Sequence, residues 1–143
     1  MSIGRRLGRL LTSGDLIAFK GDLGAGKTCM IKGLAQGLEV PEDCYVRSPS
    51  FVILNIYPGR FPLHHLDLYR IHGTTEVEDI GYRDIFYGEG VTAIEWAEKI
   101  PELLPDDHLQ VVLAFVDEDT RKITITPCGE RSQARWKGLL EKF

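Results

Sequence analysis

No apolar run in this chain approaches the roughly 18 residues that a membrane-spanning helix needs. Its opening residues, Met1-Ser2-Ile3-Gly4-Arg5-Arg6-Leu7, carry no signal-peptide hydrophobic region. The expectation is a cytoplasmic protein without a membrane partner. Cysteine is scarce: Cys29, Cys44 and Cys128 stand far apart, odd in number, with neither a CxxC pair nor a zinc-ligand spacing. That argues against a disulfide framework, and reduced thiols suit a cytosol. A basic excess is lacking as well. The net charge of −4 has the wrong sign for a chain that grips nucleic acid by itself. Arg5, Arg6 and Arg9 cluster locally and read as a solvated helix face. There is no internal repeat, low-complexity tract or long linker. What remains is a 143-residue chain, 43% hydrophobic and 27% charged, which is expected to form one domain over residues 1–143.

Periodicity places the elements. Ile3, Leu7, Leu10 and Leu11 recur at helical spacing up to the break at Gly14-Asp15. Leu16-Ile17-Ala18-Phe19 is a short apolar run between breakers, which predicts a buried strand. Met30, Ile31, Leu34, Ala35 and Leu38 predict a helix that ends before Pro41. Phe51 to Tyr57 and Pro62 to Tyr69 flank the turn Pro58-Gly59 and predict a hairpin. Thr75 to Ile80 predicts a short acidic helix, with Thr75 as N-cap and Glu78 three residues on. Val91-Thr92-Ala93-Ile94 predicts a second buried strand, ending in Glu95-Trp96. Leu109–Val116 and Lys122–Thr126 predict two strands joined by Asp117-Glu118-Asp119-Thr120. Glu130 to Phe143 predicts a closing helix with Ala134, Leu139, Leu140 and Phe143 as its apolar contacts. Strand, glycine loop, helix and further strands imply an α/β, P-loop NTPase-like three-layer domain. Its central sheet would be mostly parallel, with antiparallel edge hairpins.

The most specific signal is Gly21-Asp22-Leu23-Gly24-Ala25-Gly26-Lys27-Thr28, which matches G-x-x-x-x-G-K-[ST]. Triphosphate oxygens must be met by backbone N–H groups at close range. Glycines at 21, 24 and 26 let the backbone curl without Cβ clashes. The helix that follows offers its N-terminus to negative charge. Lys27 is placed to reach the β- and γ-phosphates, and the Thr28 hydroxyl to bind Mg²⁺. An apolar run before the motif and a helical pattern after it set it apart from a chance match. Phosphate binding is the reading adopted.

Hydrolysis needs an acid near the metal and a group that orients water. Glu95, directly after four apolar-strand residues, stands where such an acid belongs, although an ordinary surface carboxylate is the bland alternative. Asp67, within Leu63-His64-His65-Leu66-Asp67-Leu68-Tyr69, fits either reading equally. His64 and His65 are adjacent on a predicted strand, so they point to opposite faces and do not share an ion. Trp96 by itself reads as a core aromatic. No N-K-x-D segment occurs, which disfavours a GTPase. A small-molecule kinase generally needs an Arg-rich lid, and only Arg70 and Arg83 are available for one. A nucleotide-dependent binding module with little turnover is the other alternative.

Several stretches, taken in order, resemble the TsaE (YjeE) family of bacterial P-loop ATPases, which act in making the threonylcarbamoyl modification of adenosine in transfer RNA. The loop from Gly21 to Thr28 is similar to the family's own version of the motif. Ser48-Pro49-Ser50-Phe51 resembles its switch-like loop, His65-Leu66-Asp67-Leu68-Tyr69-Arg70 its H-x-D-L-Y-R segment, and Glu95-Trp96 its E-W pair. The likeness spans roughly Gly4 to Val116. It implies ATP and Mg²⁺ bound between the P-loop and these loops. The nucleotide would meet Asp22, Leu23, Gly24, Ala25, Gly26, Lys27, Thr28, Cys29, Ser50 and Trp96. Thr28 and Glu95 would bind Mg²⁺, and Lys27, Asp67 and Glu95 would serve hydrolysis. The implied partners are the TsaD and TsaB proteins, with tRNA met only indirectly. Two positions depart from the family pattern. Cys29 stands where a second Thr is usual, so one phosphate contact falls to the backbone, a thiol being a poor donor. Ser50 replaces a usual Thr and keeps the hydroxyl.

Overall fold

The computed structural model of the chain describes residues 3–21, 27–44, 46, 53–118 and 120–141; the side chain of Thr28 also lies outside what is described. Six strands form one sheet in the order β2-β3-β4-β1-β5-β6. These are β1 (Leu16–Gly21), β2 (Leu54–Tyr57), β3 (Leu63–Asp67), β4 (Val91–Glu95), β5 (His108–Phe115) and β6 (Arg121–Cys128). The neighbours β3-β4, β4-β1 and β1-β5 run parallel. The outer pairs β2-β3 and β5-β6 run antiparallel. Both hairpins therefore sit at the edges, as the turn residues predict, and the central strands read as near-continuous apolar runs because both of their faces are covered.

Helices cover the two faces. One cluster joins Ile17, Phe19, Leu63, Val91, Ala93, Leu109, Val111 and Leu113 of the sheet to α1 (Ile3–Leu10), α2 (Lys27–Gly37) and α5 (Glu130–Leu140). The second joins Leu16, Ala18, Leu66 and Ile94 to Val77 of α3 (Thr75–Asp79), Phe86 of α4 (Tyr82–Phe86), and Ala97 and Ile100 beyond β4. The three-layer α/β architecture expected from the order of elements is present. Each fully buried Leu, Ile or Phe in these layers contributes about 1.5–3 kcal/mol.

The packing of α1 on α2 is close because both helices present glycine there. A Cβ on Gly8 would lie 2.4 Å from the Leu34 carbonyl oxygen, and one on Gly37 would lie 2.3 Å from that of Arg5. Arg60, in the β2–β3 turn, donates to the carbonyls of Gly37 (3.0 Å), Gly8 (3.1 Å), Arg9 (3.3 Å) and Leu11 (3.0 Å). One guanidinium thus serves orphan carbonyls at the ends of both helices.

Three details differ from the sequence expectations. The residue flanking the start of α3 is Thr74, not Thr75, and it makes no side-chain capping bond. Helix α4 was not anticipated; Gly81 precedes it at φ 76° and Phe86 is its buried residue. On α5 the buried residues are Ser132 and Trp136, with Leu139 and Leu140 partly buried, whereas Ala134 is exposed. Residues spaced 132, 136, 139 and 140 share one helical stripe, and Ala134 lies off it. Asp119 and Phe143 lie outside the described residues.

Candidate nucleotide site

The C-terminal ends of three neighbouring parallel strands converge at the start of α2. Strand β1 ends at Gly21, whose φ is 144° and whose added Cβ would meet the Leu113 carbonyl oxygen at 2.3 Å. Only glycine allows β5 to run this close to the strand end that feeds the loop. Asp22, Leu23, Gly24, Ala25 and Gly26 lie outside the described residues, as do Ser48, Pro49, Ser50 and Phe51. The chain is described again at Lys27, the first residue of the 11-residue helix α2, so a helix N-terminus follows the glycine motif directly. Thr28 takes the second helical position and the Cys29 thiol is exposed.

The Lys27 side chain is buried. Its Nζ donates to the Gly21 carbonyl at 3.0 Å and stands 3.8 Å from the centroid of the Trp96 ring. The ammonium is thus folded onto the mouth of its own loop, its charge met by a carbonyl and an aromatic face. Trp96 is held there by a left-handed backbone, φ 64°, uncommon for a bulky residue and a feature that gathers at functional sites. Its ring also meets Tyr69 at 5.3 Å between centroids. Lys99 donates to the carbonyls of Tyr69 and Ile71, which fixes the segment after β3 against the turn after β4. Trp96 therefore packs against Lys27 at the candidate site and is not only a core aromatic.

Asp67 and Glu95 are register partners at the ends of β3 and β4, on the α2 face of the sheet. Glu95 is 4% exposed, which removes the surface-carboxylate alternative for it. Its Oε2 is 2.8 Å from Nε2 of His65, a residue with no exposure at all. Asp67 is half-buried and accepts from the Tyr69 N–H at 3.0 Å. Burial pushes the Asp67 carboxyl above its ordinary range. The Tyr69 N–H opposes that shift, the neighbouring Glu95 charge adds to it, and His65 and Lys27 pull it back. Burial also raises the Glu98 carboxyl, while Lys27 and Lys20 lower it.

Two carboxylates side by side, one buried and one with its ionised form disfavoured, form a donor set that a hard divalent cation relieves. Among the described residues no three His, Cys, Asp or Glu are grouped to hold an ion. Of the residues expected at the site, Lys27, Asp67, Glu95 and Trp96 are brought together. His65 is the addition. Sequence reasoning set it aside because it tested whether His64 and His65 share an ion; the two do lie on alternate faces of β3. The signal that identifies His65 is its spacing of two from Asp67, which puts both on the face that Glu95 occupies.

A mostly parallel sheet, a glycine motif between its central strand and a helix, and acids at neighbouring strand ends define a P-loop protein of the α/β class, with its site at the C-terminal ends of the strands. The profile of the family described as "Threonylcarbamoyl adenosine biosynthesis protein TsaE" matches residues 1–123, and the chain belongs to that family. It is 44% identical to the tRNA threonylcarbamoyladenosine biosynthesis protein TsaE of Bacillus subtilis, over 82% of this chain and 73% of that one. The protein of the same description from Treponema pallidum is 40% identical over 85% of this chain and 89% of its own. Among solved structures, the crystal structure of YdiB from Bacillus subtilis superimposes with a TM-score of 0.76 at 35% identity, covering 98% of this chain and 86% of that one. Among the described residues no helix is long and apolar enough to cross a membrane.

Proposed function

We propose that this chain is the Mg²⁺-dependent, ATP-binding and ATP-hydrolysing subunit for threonylcarbamoyl modification of adenosine in tRNA, working with TsaD and TsaB. The observation that carries the reading is the convergence of Lys27, Asp67 and Glu95 on the N-terminus of α2 at the ends of three adjacent strands. Backbone N–H groups of the P-loop and the helix N-terminus bind the phosphates. Lys27 leaves Gly21 and the Trp96 ring to reach the β- and γ-oxygens, where its charge offsets the negative charge of the transition state. Thr28 and Glu95 would hold Mg²⁺, which would supply positive charge against the phosphates. Asp67 orients the attacking water. Burial raises its carboxyl above the ordinary range, which makes it a better proton acceptor than an exposed aspartate. Ser50 and the backbone of Cys29 add contacts to the nucleotide. The negative net charge fits a subunit that leaves the grip on tRNA to its partners.

The test is steady-state ATP hydrolysis by the chain alone and with TsaB and TsaD added. The chain alone turns over slowly and the complex faster, while Glu95→Ala loses about 10²–10³-fold in the complex. A rate unmoved by both partners sinks the reading. If tRNA modification persists with Glu95→Ala, nucleotide binding and not turnover is what the pathway needs.

A further inference from the structure

We propose that His65 is a positioning residue that orients the Glu95 carboxylate toward the metal, a proposal that rests on the reading of Glu95 as a Mg²⁺ ligand. The two side chains form a buried pair, 0% and 4% exposed, with Nε2 and Oε2 2.8 Å apart. They come from adjacent parallel strands. His65 pairs in register with Ala93, two residues before Glu95, and so lies on the same face and one step back from the strand end. The imidazole holds one carboxylate oxygen from behind, and the plane of the carboxylate then fixes where its other oxygen points. Strand β3 thus supplies two groups to one face of the site: His65 behind Glu95, and Asp67 beside it.

A packing role does not account for this histidine. The flanking positions Leu63 and Leu66 are equally buried and are filled by leucine. The imidazole loses its hydration in a closed slot, and its Nδ1 has no hydrogen-bond partner among the described residues. Burying a polar ring that way costs free energy unless the remaining bond does something an apolar side chain cannot. What Nε2 does is add a restraint on Glu95, whose side chain has three torsions and whose carboxylate must meet the strict geometry that Mg²⁺ demands. Groups behind a metal ligand hold its orientation in this way, and their loss typically weakens metal binding about 10–100-fold.

Two substitutions separate orientation from packing. His65→Leu fills the slot without a donor. His65→Gln places an amide nitrogen near the position of Nε2 and can donate to Glu95. The readout is Mn²⁺ binding in the presence of ADP, followed by electron paramagnetic resonance, beside ADP binding in EDTA. For His65→Leu the Mn²⁺ dissociation constant rises about 10–100-fold, while metal-free ADP binding stays within twofold of the parent. His65→Gln recovers most of that loss. Mn²⁺ binding by His65→Leu equal to the parent's, or a His65→Gln protein no better than His65→Leu, overturns the positioning role. If the parent protein does not bind Mn²⁺ with ADP, the reading of Glu95 as a ligand falls, and the role of His65 with it.

Discussion

The role proposed for Asp67 sets function against stability. The Asp67 carboxyl titrates above the ordinary value of 3.8 because it is half-buried and faces Glu95. A group whose pKa is raised by folding supports the fold while it is protonated, below the unfolded value, and loses that support as pH rises through the folded value. At neutral pH the Asp67 charge therefore works against the unliganded fold. Asp67→Asn removes the charge and keeps an oxygen for the Tyr69 N–H. The variant should resist urea better than the parent at pH 7.5, with a margin that shrinks towards pH 4.5, and it should lose hydrolysis. Urea midpoints across that range test this; a less stable variant at pH 7.5, or a margin independent of pH, counts against it.

At the scale of elements, the P-loop helix is held from behind. Gly8 and Gly37 let α1 touch α2 backbone to backbone, and Arg60 ties the last carbonyls of both to the β2–β3 turn. Gly8→Ala drives a methyl into the Leu34 carbonyl region and should cost about 1–3 kcal/mol of stability, as overpacking does. Gly138→Ala is the control on α5, because nothing lies within 4 Å of its added Cβ. It should be neutral or mildly stabilising, by up to about 1 kcal/mol. Thermal unfolding of the two variants side by side decides it, and equal midpoints would sink the idea. Arg60→Ala removes charge-assisted bonds at an exposed position, so a smaller loss of about 1–2 kcal/mol is expected, measured by the same unfolding.

At the scale of the molecule, what could be read from sequence was what is local. Strand, glycine motif and helix occupy consecutive residues, and the period of Met30, Ile31, Leu34, Ala35 and Leu38 matches the buried stripe of α2. Glu95 is placed at a strand end by the strand-forming run Val91-Thr92-Ala93-Ile94 before it. The His65–Glu95 bond was not legible, because it depends on the register of β3 against β4 across 30 residues. Helix α4, at five residues, is too short to show a period, and α5 was misphased because Ala134 was read in place of Trp136. The candidate site is assembled from pieces far apart in sequence: Gly21, Lys27, Asp67, and Glu95 with Trp96. A nucleotide that bridges them should stabilise the whole fold by mass action, about 2.7 kcal/mol at a hundredfold excess over its Kd. For a chain of this length that is roughly 10 °C in Tm. Mg²⁺ with ADP should give the full shift. Lys27→Ala should lose most of it, and Cys29→Thr, which adds a hydroxyl beside the phosphates, should reach it at lower ADP. Differential scanning fluorimetry over an ADP titration distinguishes these cases. Equal shifts for the parent and Lys27→Ala would remove the phosphate role of Lys27, and equal midpoints for the parent and Cys29→Thr would show that the backbone alone makes the contact at position 29.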